Sequence, residues 1–504
     1  MIKSEFNTWY VIHMKYYKFL EEVFQKVGHV NSVINVLKTN KNGVDDRIEH
    51  ICTLKEIRHE IITSEMVNEM IQCSLTNKAK LNEWELANLN HMEIICRNSN
   101  MVPLELTIEL FKAQEKCKNC WLSLRQGDVS IHDVIGLLSE VIRLVGEIAG
   151  IKAESLKISK YDVILGAQDS KLNTKKIDGI FTEIGAFFRQ FMTEVNTKQK
   201  QIKVYSPRDI DENKQINLGY DCLSYFGIVS DNISINHQGF ESSRYLLGED
   251  VSFLINYDKS DYKIGLKSLL KRVGYVLCTL NPPIKWSKQP LCWNIGSIIP
   301  GILSFLISEH LMMSKEFINF IAPKLKKQFS FRGKVGCYEN IQSYFSQVQP
   351  SLFMHKADEV TLLAHIMLRY TLEKEMINDT LQVQDLPDAW IQGMKHYFNV
   401  TPTDDFEGFL QDDSWVNGMF GYIPCNIISI IIASQMFSVM QKDEPQILLE
   451  VEKGDFSLFL SWINRNICHY GGRYNSIDFL KKVTGQKLNV GFYKNYLVDK
   501  YLKV

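Results

Sequence analysis

LKSLLKRVGYVLCTLNPP, residues 266–283, decides the class of the fold. Leu266, Leu269, Leu270, Val273, Val276, Leu277 and Leu280 recur three and four positions apart. That is the spacing of one apolar face of a helix. Pro282 and Pro283 end the run, because proline supplies no amide hydrogen and clashes with a continuing turn. Lys271, Arg272 and Tyr275 fall on the polar side. A solvated helix face explains two adjacent cations without any function.

The same periodicity extends in both directions. Residues 11–38, 46–75, 80–97, 103–124, 131–155 and 173–194 read as helices before this stretch. Residues 291–328, 334–347, 352–379, 387–398, 425–441, 456–469 and 476–484 read as helices after it. The interval 197–262 differs, being rich in Asp, Asn, Ser and Gly, with period-two alternation in DVSFLINYD (250–258). It predicts a small β-sheet near 200–260 with long connections. No repeat, low-complexity tract or linker interrupts the chain. The expectation is a mainly α protein, one helical body of two lobes around a deep groove. Residues 1–504 form a single domain in this reading, with 1–195 as an N-terminal lobe and 196–504 as the remainder.

With 45% hydrophobic and 23% charged residues, the 504-residue chain has a globular composition and enough length for a large core. A net charge of −1 favours neither nucleic acid nor an anionic membrane as partner. Eleven cysteines at irregular spacing suit a reduced, cytoplasmic protein better than a disulfide scaffold. MIKSEFNTWYVIHMKYY lacks the continuous apolar core of a secretory signal. IGSIIPGILSFLI (295–307) and CNIISIIIASQMFSVM (425–440) fall short of the roughly 20 residues that span a bilayer, so both read as buried helices.

Local motifs carry little chemistry. CKNC (117–120) is a lone pair inside a helical pattern, without the second pair or histidines that zinc requires. The sequence holds no phosphate-binding glycine loop, no GxSxG and no HExxH. TPTDDFEGFLQDDSW (401–415) is acidic, but its spacing is not that of a calcium loop.

Longer stretches are more specific. KADEVTLLAHIMLRYTLEKEMIND (356–379), LQVQDLPDAWIQGMKHYFNVTPTDDFEGFLQDDSWVNGMFGYIP (381–424) and NICHYGGRYNSIDFLKKVTGQKLNV (466–490) resemble, in order, the carboxypeptidase Taq family of thermostable metallocarboxypeptidases. YDVIL (161–165), LGYD (218–221) and DVSFLINYD extend the likeness backwards. The resemblance implies an almost entirely helical, usually homodimeric protein with a groove between two lobes. It also implies a zinc or cobalt ion that serves removal of C-terminal residues from peptides. In that family two histidines of HExxH share one helix face and hold the metal, the intervening glutamate is the general base, and a glutamate from the next helix is the third ligand.

Placed on the family pattern, the opening helix has lost this set. Lys271 stands for the first histidine, Arg272 for the general base and Tyr275 for the second histidine, while Gly274 is retained. The third ligand falls on Gly301 or Ile302 in IIPGILSF. Met354 replaces the arginine expected to bind the peptide carboxylate, Ser414 a histidine and Asn426 a tyrosine; Tyr422 is kept. Asp250 is kept in the strand motif whose arginines have become Ser252 and Asn256, and His237 has uncertain register. The replacements oppose a metal. A lysine ammonium about 4 Å from a divalent cation would be repelled by roughly 8 kcal/mol at an effective dielectric near 20.

The expectation is therefore a catalytically inactive relative, with no cofactor and no metal, in a binding or regulatory role. Its partner would be an active paralogue or a second copy across the dimer surface. Alternatively, a peptide or anionic ligand would enter the old groove, met by Lys271, Arg272, Tyr275, Tyr422 and Gln411. New covalent chemistry at Cys278 or Cys292 lacks a predictable histidine partner. The rival reading is a working metallocarboxypeptidase with a relocated metal site.

Overall fold

The structure is a computed structural model, and it describes residues 2–39, 44–228, 233–236, 244–245, 251–255, 257–293 and 295–503. Helices build nearly all of it. The opening stretch forms the helix Tyr262–Leu280, started by Asp261, whose side chain accepts from the Lys263 amide. Its apolar stripe is buried at Leu266, Leu269, Leu270, Val273, Val276 and Leu277. Ile298–Phe305 packs along it and runs on as a π-helical turn, Leu306–Leu311. The second apolar stretch lies in Tyr422–Asp443, which is long and apolar enough to cross a membrane but has 78% of its apolar window buried inside the protein.

Gly274 sets how closely two of these helices approach. A Cβ there would lie 2.5 Å from both the Leu303 carbonyl carbon and Ser304 Cα. Backbone atoms cannot yield as a flexible side chain can, so only glycine lets the two helices meet.

The expected β-sheet across residues 200–260 is corrected. Glu212–Tyr225 is a helix, capped by the Asp211 carboxylate accepting from the Lys214 amide. Among the described residues, extended pairing is confined to segments of four, two and four residues, Ile233–Asn236, Arg244–Tyr245 and Val251–Leu254. The first runs parallel and the second antiparallel to the third. They are too short to form a layer of the fold. Asp211 and Asp261, read as loop residues, serve here as helix caps.

Helix boundaries differ elsewhere too. The 46–75 pattern splits at Ser64 into Val44–Thr63 and Glu65–Thr76, the serine hydroxyl accepting from the Val67 amide. The helix expected from 352 begins at Thr361, where the Asp358 carboxylate accepts from the Val360 and Thr361 amides. The pattern 291–328 breaks into Pro290–Trp293, Ile298–Phe305, the π turn and Lys315–Gln328. A last helix, Gly491–Leu502, is absent from the sequence reading.

The main core runs from Cys117 to Tyr501 and crosses residue 195 without a break. A separate core gathers Tyr17, Phe24, Ile71, Leu89 and Met92 with two residues from much later, Trp286 and Leu291. Asn88 ties the two parts, donating to the Gln289 side chain. All eleven cysteines are free, and CKNC lies within the helix Leu104–Gln126.

Candidate functional site

Lys271, Tyr275 and Gly301, the positions that the sequence reading aligned with metal ligands, do come together. Lys271 and Tyr275 sit one turn apart on the Tyr262–Leu280 helix. A Cβ at Gly301 would come within 3.8 Å of the Tyr275 hydroxyl, so the facing helix presents Gly301 to the same place. The Tyr275 hydroxyl lies 2.9 Å from that of Tyr422, at the start of Tyr422–Asp443. The two phenols therefore close a hydrogen bond across the space between the helices.

The side chains do not fit a metal. Lys271 Nζ is 3.6 Å from Glu309 Oε1, and Lys267, one turn earlier, places its Nζ 2.9 Å from the same oxygen. Glu309 is 4% exposed and Lys267 6%, while the Lys271 side chain is 25% exposed, so two cations meet one buried anion at the edge of the interior. Burial first, and the Lys267 ammonium second, pull Lys271 down to about 8 from an ordinary 10.5, against the attraction of Glu309. Lys271 also sits 5.4 Å from the Phe305 ring centre. Among the described residues, no three His, Cys, Asp or Glu side chains gather into a group able to hold a metal ion. The third-ligand position is blocked as well. Ser429 Oγ lies 2.6 Å from where a Gly301 Cβ would be, held there by its bond to the Ile298 carbonyl.

Arg272 is half-buried and has no hydrogen-bond or ion-pair partner among the described residues. Met354 uses its amide to donate to Gln411 Oε1 at 2.7 Å. Gln411, expected to face a ligand, spends its amide group on the Leu352 and Gly408 carbonyls and is 7% exposed. It fastens two loops and has no donor to spare. His355, isolated in sequence, is a nearby group that sequence reasoning missed. Burial, then Lys356, push its imidazole down to about 4, and it feels the charges of Asp412 and Lys271. Asp250, Asn256 and His237 lie outside the described residues.

Side chains of the stretches that carry the family resemblance make internal contacts. Arg369, fully buried between the rings of Trp390 and Trp415, pairs with Asp412. Glu373 accepts from Trp415 Nε1, the Gly421 amide and the Tyr161 hydroxyl at 2.8–2.9 Å. Glu359 accepts from Tyr496, Lys500 and Tyr501. Arg369 and Glu359 are thus ion-paired, and Glu373 is held by three hydrogen bonds, which offsets the cost of burying them.

Comparison with known proteins agrees with this frame. A family profile described as carboxypeptidase Taq (M32) metallopeptidase matches residues 19–501. Thermostable carboxypeptidase 1 of Pyrococcus furiosus is 24% identical over 96% of this chain and 100% of its own. Carboxypeptidase 1 of Bacillus subtilis is 23% identical over 96% and 98%. The structure of Trypanosoma cruzi metallocarboxypeptidase 1 superposes with a TM-score of 0.88 at 23% identity, covering 97% of this chain and 100% of that one.

Proposed function

Because this chain belongs to the carboxypeptidase Taq metallopeptidase family, we propose that it is a member which has given up metal-dependent peptide cleavage for a binding or regulatory role. The observation that carries this reading is the Lys267–Glu309–Lys271 cluster: a cation occupies the first ligand position and shares a buried counter-ion with Lys267. A divalent ion would have to displace an ammonium already neutralised by Glu309, with Tyr275 and Gly301 offering no carboxylate or imidazole in support.

The ligand side of the proposal falls on Arg272, the cation of the helix pair without a partner among the described residues. An anionic group, such as a peptide carboxylate, entering beside Tyr275 and Tyr422 would meet it first. Pairing with an active paralogue through a dimer surface is the regulatory form of the same proposal.

The test is metal analysis of protein purified without chelator, together with release of C-terminal residues from a peptide library in the presence of zinc or cobalt. The expected outcome is substoichiometric metal and no turnover. Stoichiometric metal with turnover would refute the proposal in favour of a working enzyme with a relocated site. A restoration series sharpens it. Lys271→His, Arg272→Glu, Tyr275→His and Gly301→Glu together should still fail to bind zinc, because Ser429 blocks residue 301. Adding Ser429→Gly should be needed before zinc binds.

A further inference from the structure

A second cavity, of 1260 Å³, lies away from this site. It opens between the end of the Thr174–Gln199 helix, the π turn, the helix Tyr338–Phe345, the last turns of Tyr422–Asp443 and the terminal helix Gly491–Leu502. Lys271, Arg272, Tyr275 and Tyr422 take no part in its lining. Its volume exceeds the roughly 300–1,000 Å³ of an ordinary small-molecule pocket.

At its inner wall His310 is held between the rings of Phe437, 5.0 Å away, and Tyr496, 4.2 Å away. The π turn explains how it gets there. Consecutive residues diverge, Glu309 towards the lysines and His310 towards the cavity. Such turns recur at functional sites.

The protonation of His310 follows from its neighbour. Ser434 Oγ lies 3.1 Å from His310 Nε2 and 3.0 Å from the Ile430 carbonyl oxygen. A hydroxyl has one hydrogen, and a carbonyl can only accept, so Ser434 donates to Ile430 and accepts from Nε2–H. Burial, with Lys500 next, pushes the imidazole down to about 3, so it is neutral. Nδ1 is then a bare acceptor. It is buried, in a residue 3% exposed, and has no partner among the described residues. A buried acceptor left unmatched is costly unless a ligand or water supplies the donor.

The remaining walls define the ligand's chemistry. Gln342, Ser343, Ser346, Gln347 and Ser438 line the cavity half-buried, and none has a side-chain partner among the described residues. An apolar ligand would leave these groups unpaired. Of the charges at the rim, Lys500 is taken by Glu359 and Asp499 by Lys503, and Lys198 is engaged as well, which leaves Lys200 and Lys315 against Glu316 and Glu339. No field selects an anion or a cation. Hydroxyl groups both donate and accept, which matches a wall of serines and glutamines around one bare acceptor.

We propose that this cavity binds an uncharged polyhydroxylated small molecule of di- or trisaccharide size, with one hydroxyl donating to His310 Nδ1. The experiment is ligand-observed NMR and calorimetry on the full chain with maltose, trehalose and raffinose, and with their permethylated forms, which carry no donor. At least one free sugar should bind with a Kd in the millimolar range or tighter, and the permethylated forms should not. His310→Phe keeps a ring between Phe437 and Tyr496 and should weaken binding by about tenfold, the loss of one buried hydrogen bond. Gln342→Leu and Gln347→Leu, on the half-buried wall, should each weaken it several-fold without lowering Tm, and they decide the matter if His310→Phe does not fold. Absence of binding by all three sugars, equal binding of the permethylated forms, or affinity unchanged by these substitutions would overturn the proposal.

Discussion

Glu309→Gln is expected to destabilise the protein by about 3–5 kcal/mol at neutral pH, the usual cost of removing one partner from a buried ion pair. Glu309 is the counter-charge that the ion-pair geometry gives to both Lys267 and Lys271. Glutamine keeps the volume and removes the charge, leaving the buried Lys267 ammonium and the half-buried Lys271 ammonium without a counter-charge. The pH dependence identifies the cause. Lys271 has a folded pKa of about 8 against an ordinary 10.5, so between those values the native state binds fewer protons than the unfolded state. Stability therefore rises with pH across that window. Loss of Glu309 removes the attraction that holds the Lys271 pKa up, which widens the window downwards. The deficit of the variant should be largest below pH 8 and shrink towards pH 10. Denaturant unfolding at a series of pH values measures it, and a deficit independent of pH would mean that the cluster is not electrostatically held.

Gly274→Ala is expected to cost about 3 kcal/mol, at the upper end for adding one methyl group to a packed interior. The added Cβ meets the backbone at Leu303 and Ser304, so the Tyr262–Leu280 and Ile298–Phe305 helices must move apart. The separation would be felt at Tyr275 and Gly301, on the same two helices. Gly136→Ala is the control. It lies in the helix Ile131–Leu156 with nothing within 4 Å of its prospective Cβ. That change should stabilise by about 0.5–1 kcal/mol through helix propensity. Urea midpoints of the two variants should therefore move in opposite directions, and equal shifts would show that the close approach at Gly274 carries no energy.

The sequence made the helices around the old site legible because their burial is one-sided and periodic. The stripe from Leu266 to Leu277, ended by Pro282–Pro283, needs no tertiary information. The departure from HExxH can be read for a related reason: it is a local motif, so Lys271, Arg272 and Tyr275 can be placed against it within one helix. Glu309 was not legible. It faces Lys271 only because a π turn inserts a residue far along the chain, and IIPGILSFLISEHL reads as continuous helix. Ser429 was hidden likewise, since nothing in CNIISIIIASQMF marks the serine that faces Gly301. The helix Glu212–Tyr225 was lost because its polar composition, capped by Asp211, resembles a loop when only residue types are weighed. Gln411 was misjudged through its motif: a side chain with four hydrogen-bonding positions looks ready for a ligand until its backbone partners at Leu352, Met354 and Gly408 are seen.

The separate N-terminal core bears on how the molecule opens. Side chains between Tyr17 and Cys96 bury one another, and the later chain reaches them through Trp286 and Leu291. Such a cluster behaves as its own cooperative unit, with an opening free energy below that of the whole. Amides in residues 44–101 should then exchange with solvent ahead of those in Tyr422–Asp443, as native-state hydrogen exchange can measure. Trp286 and Leu291 lie on the connection between the Lys271 helix and the Gly301 helix. Each opening of the N-terminal unit would release that connection, so the two walls of the old site are as steady as a core built far from them in sequence.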